Sequence, residues 1–286
     1  MEIRLSAAGL ARREDVGSIA SLLQTVFGPE RDWHAHLAWQ YFENPNGTAT
    51  CVNAYDESDR LVAHYSVIPC APFKDSGFDG VQPYLSLNTA VHPTVQRMGL
   101  FKRTAQAVFD YLAGIGSHAV LGVANENSVR GFVTSLDFFL MGHLRLEARL
   151  PFQRPSADRP RLLAMDDATL AWRFGRPGAQ YQVIPRTGQV VCHRTFKGIP
   201  VHCVLSAGGT EGVLPSLPVA SFLARLTHAS VYADYGLGTR FALTVPDVMR
   251  PSPLHLICRP HLEGSPRTLL NHIQNRSFEF LDFDVV

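Results

Sequence analysis

The chain has 286 residues, of which 46% are hydrophobic and 18% are charged, and its formal net charge is +1. This composition is typical of a globular protein with a buried core and excludes a disordered chain. The near-zero net charge gives no reason to expect binding to nucleic acid or to a membrane surface. No window approaches the roughly 18 consecutive apolar residues of a membrane-spanning helix.

The cysteines and the N-terminus indicate the compartment. Five cysteines are scattered along the chain, and no two of them form a C-x-x-C pair. This usage is typical of reduced thiols, and the acid-containing N-terminal stretch does not resemble a signal peptide. We therefore expect a cytoplasmic protein. We expect no metal, because H-E-x-x-H and clustered Cys/His are absent from the sequence.

Hydrophobic spacing predicts two helices and then three strands in the first third of the chain. Apolar residues recur at helical intervals over Asp15–Phe27, and a second helical stretch covers His34–Phe42. Apolar runs bounded by turn residues predict strands over Thr48–Tyr55, Leu61–Ile68 and Tyr84–Val91.

The next region alternates helix and strand. Helical spacing begins at Phe101 and ends at "GIG", and His118–Ala124 then predicts a buried strand. The letters "NENS" predict the start of another helix. Its inner face is expected to carry Val129, Phe132, Val133 and Leu136. His143–Leu150 alternates as a strand does.

A stretch rich in proline and arginine predicts a linker at residues 151–161, which divides the chain into residues 1–150 and 162–286. The second part contains an echo of the first. The letters "LAWQYFENPNG" (Leu37–Gly47) resemble "LAWRFGRPGAQY" (Leu170–Tyr181). Either the likeness is a coincidence, or the second part is a degenerate copy of the first.

The turn before the helix at Phe101 has an unusual charge pattern. No Asp or Glu occurs from Gly80 to Phe109, whereas Arg97, Lys102 and Arg103 all fall in that window. A helix N-terminus offers unpaired N–H groups and positive dipole charge, and a glycine there lets an anion approach the backbone. The pattern therefore predicts either a phosphate site or a basic turn that faces solvent.

Two motifs in this order resemble the GNAT acyltransferases. The letters Q-R-M-G-L-F (Gln96–Phe101) are similar to the signature [RQ]-x-x-G-x-[GA] of that family, and "VANENSVRGFVTSLDF" is similar to its N-x-x-[AS]-x-x-x-[YF] helix. The resemblance covers about Ala11–Leu150. It implies an α/β (α+β) fold with a mixed, largely antiparallel sheet flanked by helices, and the second half is a candidate for a degenerate repeat of that fold.

The resemblance also implies a cofactor, acetyl-CoA or another short acyl-CoA, and roles for matched positions. Backbone groups of Thr89, Ala90 and Val91 would pair with pantetheine. The pyrophosphate would be held by the amides of Gln96, Arg97, Met98, Gly99, Leu100, Phe101 and Lys102. Arg97, Lys102 or Arg103 would reach the adenosine phosphates. Asn125 and Ser128 would contact pantetheine.

Two positions depart from the family pattern. Phe101 stands where a small residue is usual, although its backbone N–H is still present. Phe132 stands where many members have a tyrosine that protonates the leaving thiolate, and phenylalanine cannot do so. Another proton source, or release of the thiolate itself, is then required; a thiol pKa near 8.5 permits the latter.

The implied reaction is acyl transfer from a thioester to a primary amine, for which a general base is useful. Candidate bases are His64, Glu43 and Asp282, the last with its neighbour Asp284. Trp39, Tyr41 and Trp172 would either stack on the acceptor or build core. The second half would contribute to acceptor binding.

The acceptor suggested by the resemblance is an amino sugar on a nucleotide carrier, as in the larger bacterial members of the family. Two alternatives remain open: a peptide or protein N-acetyltransferase, and a catalytically inactive protein that binds acyl-CoA. The sequence is compatible with a monomer or an oligomer.

Overall fold

The computed structural model of the chain describes residues 2–74, 77–149, 160–184, 189–196, 199–204, 229–235, 243–244, 254–262, 265–279 and 281–283. No helix in this part of the chain is long and apolar enough to cross a membrane. The same residues include no group of three His, Cys, Asp or Glu side chains arranged to hold a metal ion.

The first half contains seven strands and four helices. In chain order they are β1 (Arg4–Leu5), β2 (Gly9–Leu10), α1 (Val16–Phe27), α2 (Trp33–Phe42), β3 (Thr50–Tyr55), β4 (Leu61–Pro69), β5 (Gln82–Val91), α3 (Leu100–Ala113), β6 (His118–Ala124), α4 (Glu126–Ser135) and β7 (Phe139–Arg149).

These elements confirm the predicted order of helices and strands, with three differences. The two-residue strands β1 and β2 are too short to show a period in the sequence. Strand β7 begins four residues before the predicted start, because Phe139 and Leu140 are both half exposed and hide the alternation. Val133 is also exposed, so its predicted place on the inner face of α4 is wrong.

The second half contributes α5 (Asp167–Phe174), β8 (Tyr181–Ile184), β9 (Gln189–Phe196), β10 (Ile199–Val204), β11 (Ala229–Tyr235), β12 (Leu243–Thr244), β13 (Leu254–His261), α6 (Pro266–Gln274) and β14 (Phe278–Glu279). The predicted linker lies outside the described residues except for its last two positions.

One long sheet runs through both halves in the order β1-β3-β4-β5-β6-β13-β7-β11-β10-β9-β8. Along this path only the β5–β6 and β10–β11 neighbours are parallel. The sheet is therefore mixed and largely antiparallel, and the predicted fold class is confirmed.

The order of pairings is the same when it is read outward from the centre in either direction. From the central antiparallel pair β13–β7, each side continues with an antiparallel, a parallel and two antiparallel neighbours. Strand β13 comes from the second half but lies beside β6, whereas β7 comes from the first half and lies beside β11. Each half thus places one strand next to the other half's sheet. The boundaries at residues 150 and 162 stay a prediction.

The two L-A-W stretches meet in the core. Trp39 of α2 stacks on Trp172 of α5, with ring centroids 4.8 Å apart and planes inclined by 20°. Each indole N–H donates to the other residue's backbone carbonyl, at 2.8 and 3.1 Å. A reciprocal contact of this kind is what two copies of one unit make across a two-fold axis. Together with the pairing order, it favours duplication over coincidence.

Helices cover the two faces of the first-half sheet. Strand β4 shows this directly, because successive side chains of a strand point to opposite faces. Tyr65 and Val67 pack in the cluster that includes Phe109 of α3, whereas His64 and Ser66 contact Tyr41 of α2. The first-half sheet therefore lies between α2 on one face and α3 on the other.

The tryptophan pair gives a stability prediction. The substitution Trp172→Phe removes the indole hydrogen bond to the Trp39 carbonyl, which keeps only its bond from the Glu43 amide, and reduces the stacked ring area. The two losses together should cost about 1–3 kcal/mol. Urea denaturation measures the loss. Trp33→Phe is the matched control, since the Trp33 indole donates to Gly28 at a part-buried site. An equal or smaller loss for Trp172→Phe would show that the reciprocal pair does not stabilise the fold.

Candidate functional site

The parallel strands β5 and β6 separate partway along their length. Their residues pair from Gln82 with His118 to Ser86 with Gly122, and no pair follows, although both strands continue. Just beyond this point the register between β4 and β5 shifts, so that two residues of β5 oppose one of β4. Asn88 in this bulge has a positive φ of 51°. The bulge bends β5 where the gap opens.

A cavity of about 750 Å³ occupies the gap. The ends of β5 and β6 line it together with the start of α4, the end of α1 and the loop that follows α1. Leu254 and Ile257 of β13 close part of the wall, so the second half contributes to it. The described lining contains polar side chains and one arginine, but no Asp, Glu or His.

The turn at Gly99 leads into α3 beside this cavity. Arg97 and Gly99 have φ values of 67° and 72°, so the chain turns twice through the left-handed region before the helix begins. Gly99 is the N-cap of α3, and no side chain caps the helix. A Cβ placed on Gly99 would meet nothing within 4 Å. The start of α3 therefore has open space beside Gly99 and first-turn amides that no side chain caps, as an anion site requires.

The other predicted residues of the turn divide into exposed and anchoring groups. Gln96 and Phe101 line the cavity. Arg97, Lys102 and Met98 are exposed, whereas Leu100 is buried and anchors the start of the helix. Arg103 is also exposed, and its guanidinium lies 3.4 Å from the backbone carbonyl of Ile3.

Asn125 and Ser128 form a capping box at the start of α4. The Asn125 side chain accepts from the Ser128 amide at 3.0 Å, and the Ser128 hydroxyl accepts from the Asn125 amide at 3.2 Å. Both residues line the cavity, as do Thr89 and Val91, while Ala90 is buried opposite His64. The pantetheine contacts expected of these residues stay predictions.

The two phenylalanines that depart from the family pattern pack against each other. The rings of Phe101 and Phe132 meet edge to face at 5.0 Å, and Phe132 meets Phe138 at the same distance. A Cβ added at Gly131 would lie 3.0 Å from the Phe101 ring. Phe101 therefore joins α3 to α4, and the absence of a side chain at Gly131 makes room for it.

The three predicted bases do not line the cavity. His64 is fully buried, and burial lowers its pKa to about 3, so it is a poor proton acceptor at neutral pH. Glu43 is exposed at the C-terminal end of α2. Asp282 is buried in an ion pair with Arg161 at 3.2 Å and accepts from the Glu279 amide. Its neighbour Asp284 lies outside the described residues.

The predicted stacking residues are also corrected. Trp39 and Trp172 cover each other in the core, and Tyr41 is buried with its hydroxyl 2.8 Å from His64 and 2.7 Å from Ser66. None of the three lines the cavity. The aromatic residues that do line it are Phe27 and Trp33, with ring centroids 5.8 Å apart, beside Phe101 and Phe132.

The sequence analysis did not identify three residues of the cavity wall: Phe27, Trp33 and Asn88. Phe27 ends α1 and Trp33 begins α2, and neither position carried a recognisable signal of a cavity. Asn88 did carry one, since asparagine is depleted in strands and enriched at positive φ. An asparagine in the middle of an apolar strand therefore indicates a bulge.

Neither a comparison with protein-family models nor one with curated proteins gives a match for this sequence. Among solved structures, the chain is similar to a GCN5-related N-acetyltransferase from Anabaena variabilis, with 10% identity and a TM-score of 0.56 over 90% of this chain and 72% of that one. It is also similar to a conserved Enterococcus faecalis protein described as a probable N-acyltransferase, with 8% identity and a TM-score of 0.50 over 91% and 73%. The chain therefore has the GNAT fold, and the likeness extends into its second half.

The turn at Gly99 gives a binding prediction. The substitution Gly99→Glu places a carboxylate where an anion would bind, so it should weaken coenzyme A binding at least about 100-fold by repulsion at the helix N-terminus. Isothermal titration calorimetry measures the affinity. Gly99→Ala tests the cost of a side chain at positive φ without added charge. It should lose much less affinity for coenzyme A than Gly99→Glu.

The matched control for that variant lies in the second half. Gly178 has a φ of 73° and, like Gly99, open space around its Cβ position, but it does not line the cavity. Gly178→Glu should leave coenzyme A affinity unchanged. If Gly99→Glu and Gly178→Glu changed coenzyme A affinity equally, or if Gly99→Glu kept the native affinity, an anion site at the turn would be contradicted.

Buried His64 gives a prediction about pH. Its folded-state pKa is about 3, below the ordinary value of 6.5. The unfolded state therefore binds a proton first as pH falls, and stability is lost between about pH 6.5 and 3. His64→Gln should flatten the decline of unfolding free energy with falling pH by up to about 1.4 kcal/mol per pH unit. Urea denaturation from pH 7.5 to 4.5 tests this, with exposed His34→Gln as control. Unchanged slopes in His64→Gln would refute it.

Proposed function

We propose that the protein is an acyl-CoA-dependent N-acyltransferase that moves an acetyl or short acyl group from a coenzyme A thioester to a primary amine. The observation that carries this proposal is a cavity between diverging parallel strands beside an uncapped, acid-free helix N-terminus. A long ligand with an anionic part and an extended amide part fits these two features together.

The anionic part would be the pyrophosphate at the turn. The amides from Gly99 to Lys102 are not used by side-chain caps, and no acid occupies the first turn of α3. Arg97 and Lys102 are exposed nearby, so their charges are available to the adenosine phosphates. Phosphate binding at such helix starts is a general consequence of free N–H groups and the helix dipole.

The extended part would be pantetheine in the gap. Beyond Ser86, strand β5 has no partner on its β6 side, and Leu87, Thr89 and Val91 line the cavity. An unpaired strand edge can bind an amide-containing chain as though it were another strand. Asn125 and Ser128 close the opposite side of the gap.

The reaction that this arrangement supports is direct attack by the amine. A bond forms from the amine nitrogen to the thioester carbon, the carbon–sulfur bond breaks, and the nitrogen then loses a proton. The described cavity wall has no carboxylate or imidazole to take that proton, and Phe132 cannot supply one to the sulfur. Positioning of a neutral amine would therefore supply most of the rate, and solvent would exchange the protons.

The acceptor that we favour is an amino sugar on a nucleotide carrier. Support comes from the rings of Phe27 and Trp33 on the cavity wall, which offer faces for a sugar or base. The described cavity wall has no Asp, Glu or His, and Phe132 cannot donate a proton. Both facts favour one other candidate, an acyl-CoA-binding protein without activity.

Thermal denaturation with coenzyme A, acetyl-CoA and UDP-glucosamine tests the binding proposal. A ligand at 100 times its Kd stabilises the folded state by about 2.7 kcal/mol, which raises the Tm measurably. Thiol release from acetyl-CoA in the presence of an amine then separates an enzyme from an inactive binder. The absence of any Tm shift with both coenzyme A species would refute the cofactor, and a shift without thiol release would favour the binder.

The dependence of activity on pH tests the absence of a protein base. If no group of the cavity wall takes the proton, kcat/KM should rise about tenfold per pH unit until the pKa of the free amine is reached. Initial rates between pH 6 and 9 with two amines of different pKa measure this. A break at one fixed pH for both amines would reveal a protein base and contradict the mechanism.

A further inference from the structure

Asn88 lies in the cavity wall, and two buried residues of α2 bind its side-chain amide nitrogen. Its amide nitrogen donates to the Gln40 side-chain oxygen at 2.7 Å and to the Tyr41 hydroxyl at 3.0 Å. Both amide hydrogens are therefore used. The side-chain oxygen of Asn88 makes no hydrogen bond with the described part of the chain. It is therefore available as a hydrogen-bond acceptor in the cavity wall.

A buried chain of hydrogen bonds fixes this orientation. The Tyr41 hydroxyl lies 2.8 Å from Nε2 of His64, and Nδ1 of His64 lies 2.7 Å from the side-chain oxygen of Asn53. Since the Asn53 oxygen only accepts, Nδ1 of His64 carries the proton, and Nε2 accepts from Tyr41. The Tyr41 oxygen, whose proton goes to His64, then accepts from the Ser66 hydroxyl at 2.7 Å and from the Asn88 amide. Gln40, Tyr41, His64 and Asn53 are all buried.

We propose that the side-chain oxygen of Asn88 binds an N–H of the acceptor amine and positions its nitrogen for attack on the acyl carbon. This inference rests on the proposed function and adds to it the residue that receives the amine. The position supports it, because Asn88 lies two residues beyond the last β5–β6 pair, on the wall shared with Phe27 and Trp33.

The chemistry of an amide oxygen suits this task. A carboxylate at the same place would stabilise the protonated ammonium, which has no lone pair and cannot attack. A neutral acceptor binds the N–H without raising the pKa of the amine. Because no group of the described cavity wall removes a proton from the amine, the site favours amines of which a sizeable fraction is neutral in solution. At pH 7.5 about a quarter of an amine of pKa 8 is neutral, against about a thousandth of a lysine side chain.

The substrate class that follows is a weakly basic primary amine, such as a sugar amine or a peptide α-amino group, in preference to a lysine side chain. An anionic group is disfavoured at this point of the cavity, because it would face the Asn88 oxygen. The nucleotide or phosphate of an acceptor must therefore bind elsewhere in the cavity.

The rival explanation is that Asn88 only permits the bulge, since asparagine tolerates a φ of 51°. Asn88→Gly separates the two, because glycine adopts the same φ without an amide. Asp137→Gly is the matched control, since exposed Asp137 has a φ of 58° and lies outside the cavity. Tyr41→Phe tests the orientation, because it removes one partner of the Asn88 amide and leaves the cavity wall in place.

The experiment is steady-state kinetics with acetyl-CoA and the fastest of three probe amines: UDP-glucosamine, glucosamine 6-phosphate and a tripeptide with a free N-terminus. Asn88→Gly should raise the KM for the amine about three- to tenfold, the worth of one hydrogen bond, and leave the KM for acetyl-CoA within about twofold. Tyr41→Phe should also raise the KM for the amine, by a smaller factor. Asp137→Gly should change neither.

Several outcomes would overturn the inference. If Asn88→Gly keeps the native KM for the amine, Asn88 only shapes the bulge, and the proposed function still stands. If both KM values rise together, the variant has disturbed the whole cavity, and a specific contact with the amine is refuted. If the native protein acylates no probe amine, the proposed function fails, and the role of Asn88 fails with it.

Discussion

The separation of β5 from β6 beyond Ser86 and Gly122 is the constraint on which the rest of the site depends. Two parallel strands that stayed paired would leave no interior space and no free strand edge. The bulge at Asn88 bends β5 away, and α3 and α4 begin at the open ends of the two strands. The cavity and the free strand edge therefore arise together from one local change of register, and the uncapped start of α3 lies beside them.

The second half supports this site both from behind its walls and within them. Strand β13 supports β6 from its other side, and the tryptophan pair joins α5 to α2. Helix α2 carries Gln40 and Tyr41, the residues that hold the Asn88 amide. The second half thus contributes through packing as well as through Leu254 and Ile257 in the wall.

Local features were predictable from sequence, and features that depend on distant contacts were not. The helices and the longer strands of the first half followed from their periods, and the turn at Gly99 from its charges and glycine. The roles of His64, Asp282 and Trp39 were not predictable, because burial and partners decide them. His64 meets Tyr41 and Asn53, and Asp282 meets Arg161, from separate parts of the chain. The exchange of β7 and β13 between the halves likewise leaves no local pattern.

Amide hydrogen exchange with and without acetyl-CoA tests the central claim most directly, that the diverging strands and the turn at Gly99 form one binding site. The account predicts slower exchange at Leu87–Val91 and at Gly99–Lys102 on addition of acetyl-CoA, since both sets of amides would then be hydrogen bonded or shielded. Binding that protects amides elsewhere and leaves both segments unchanged would contradict it.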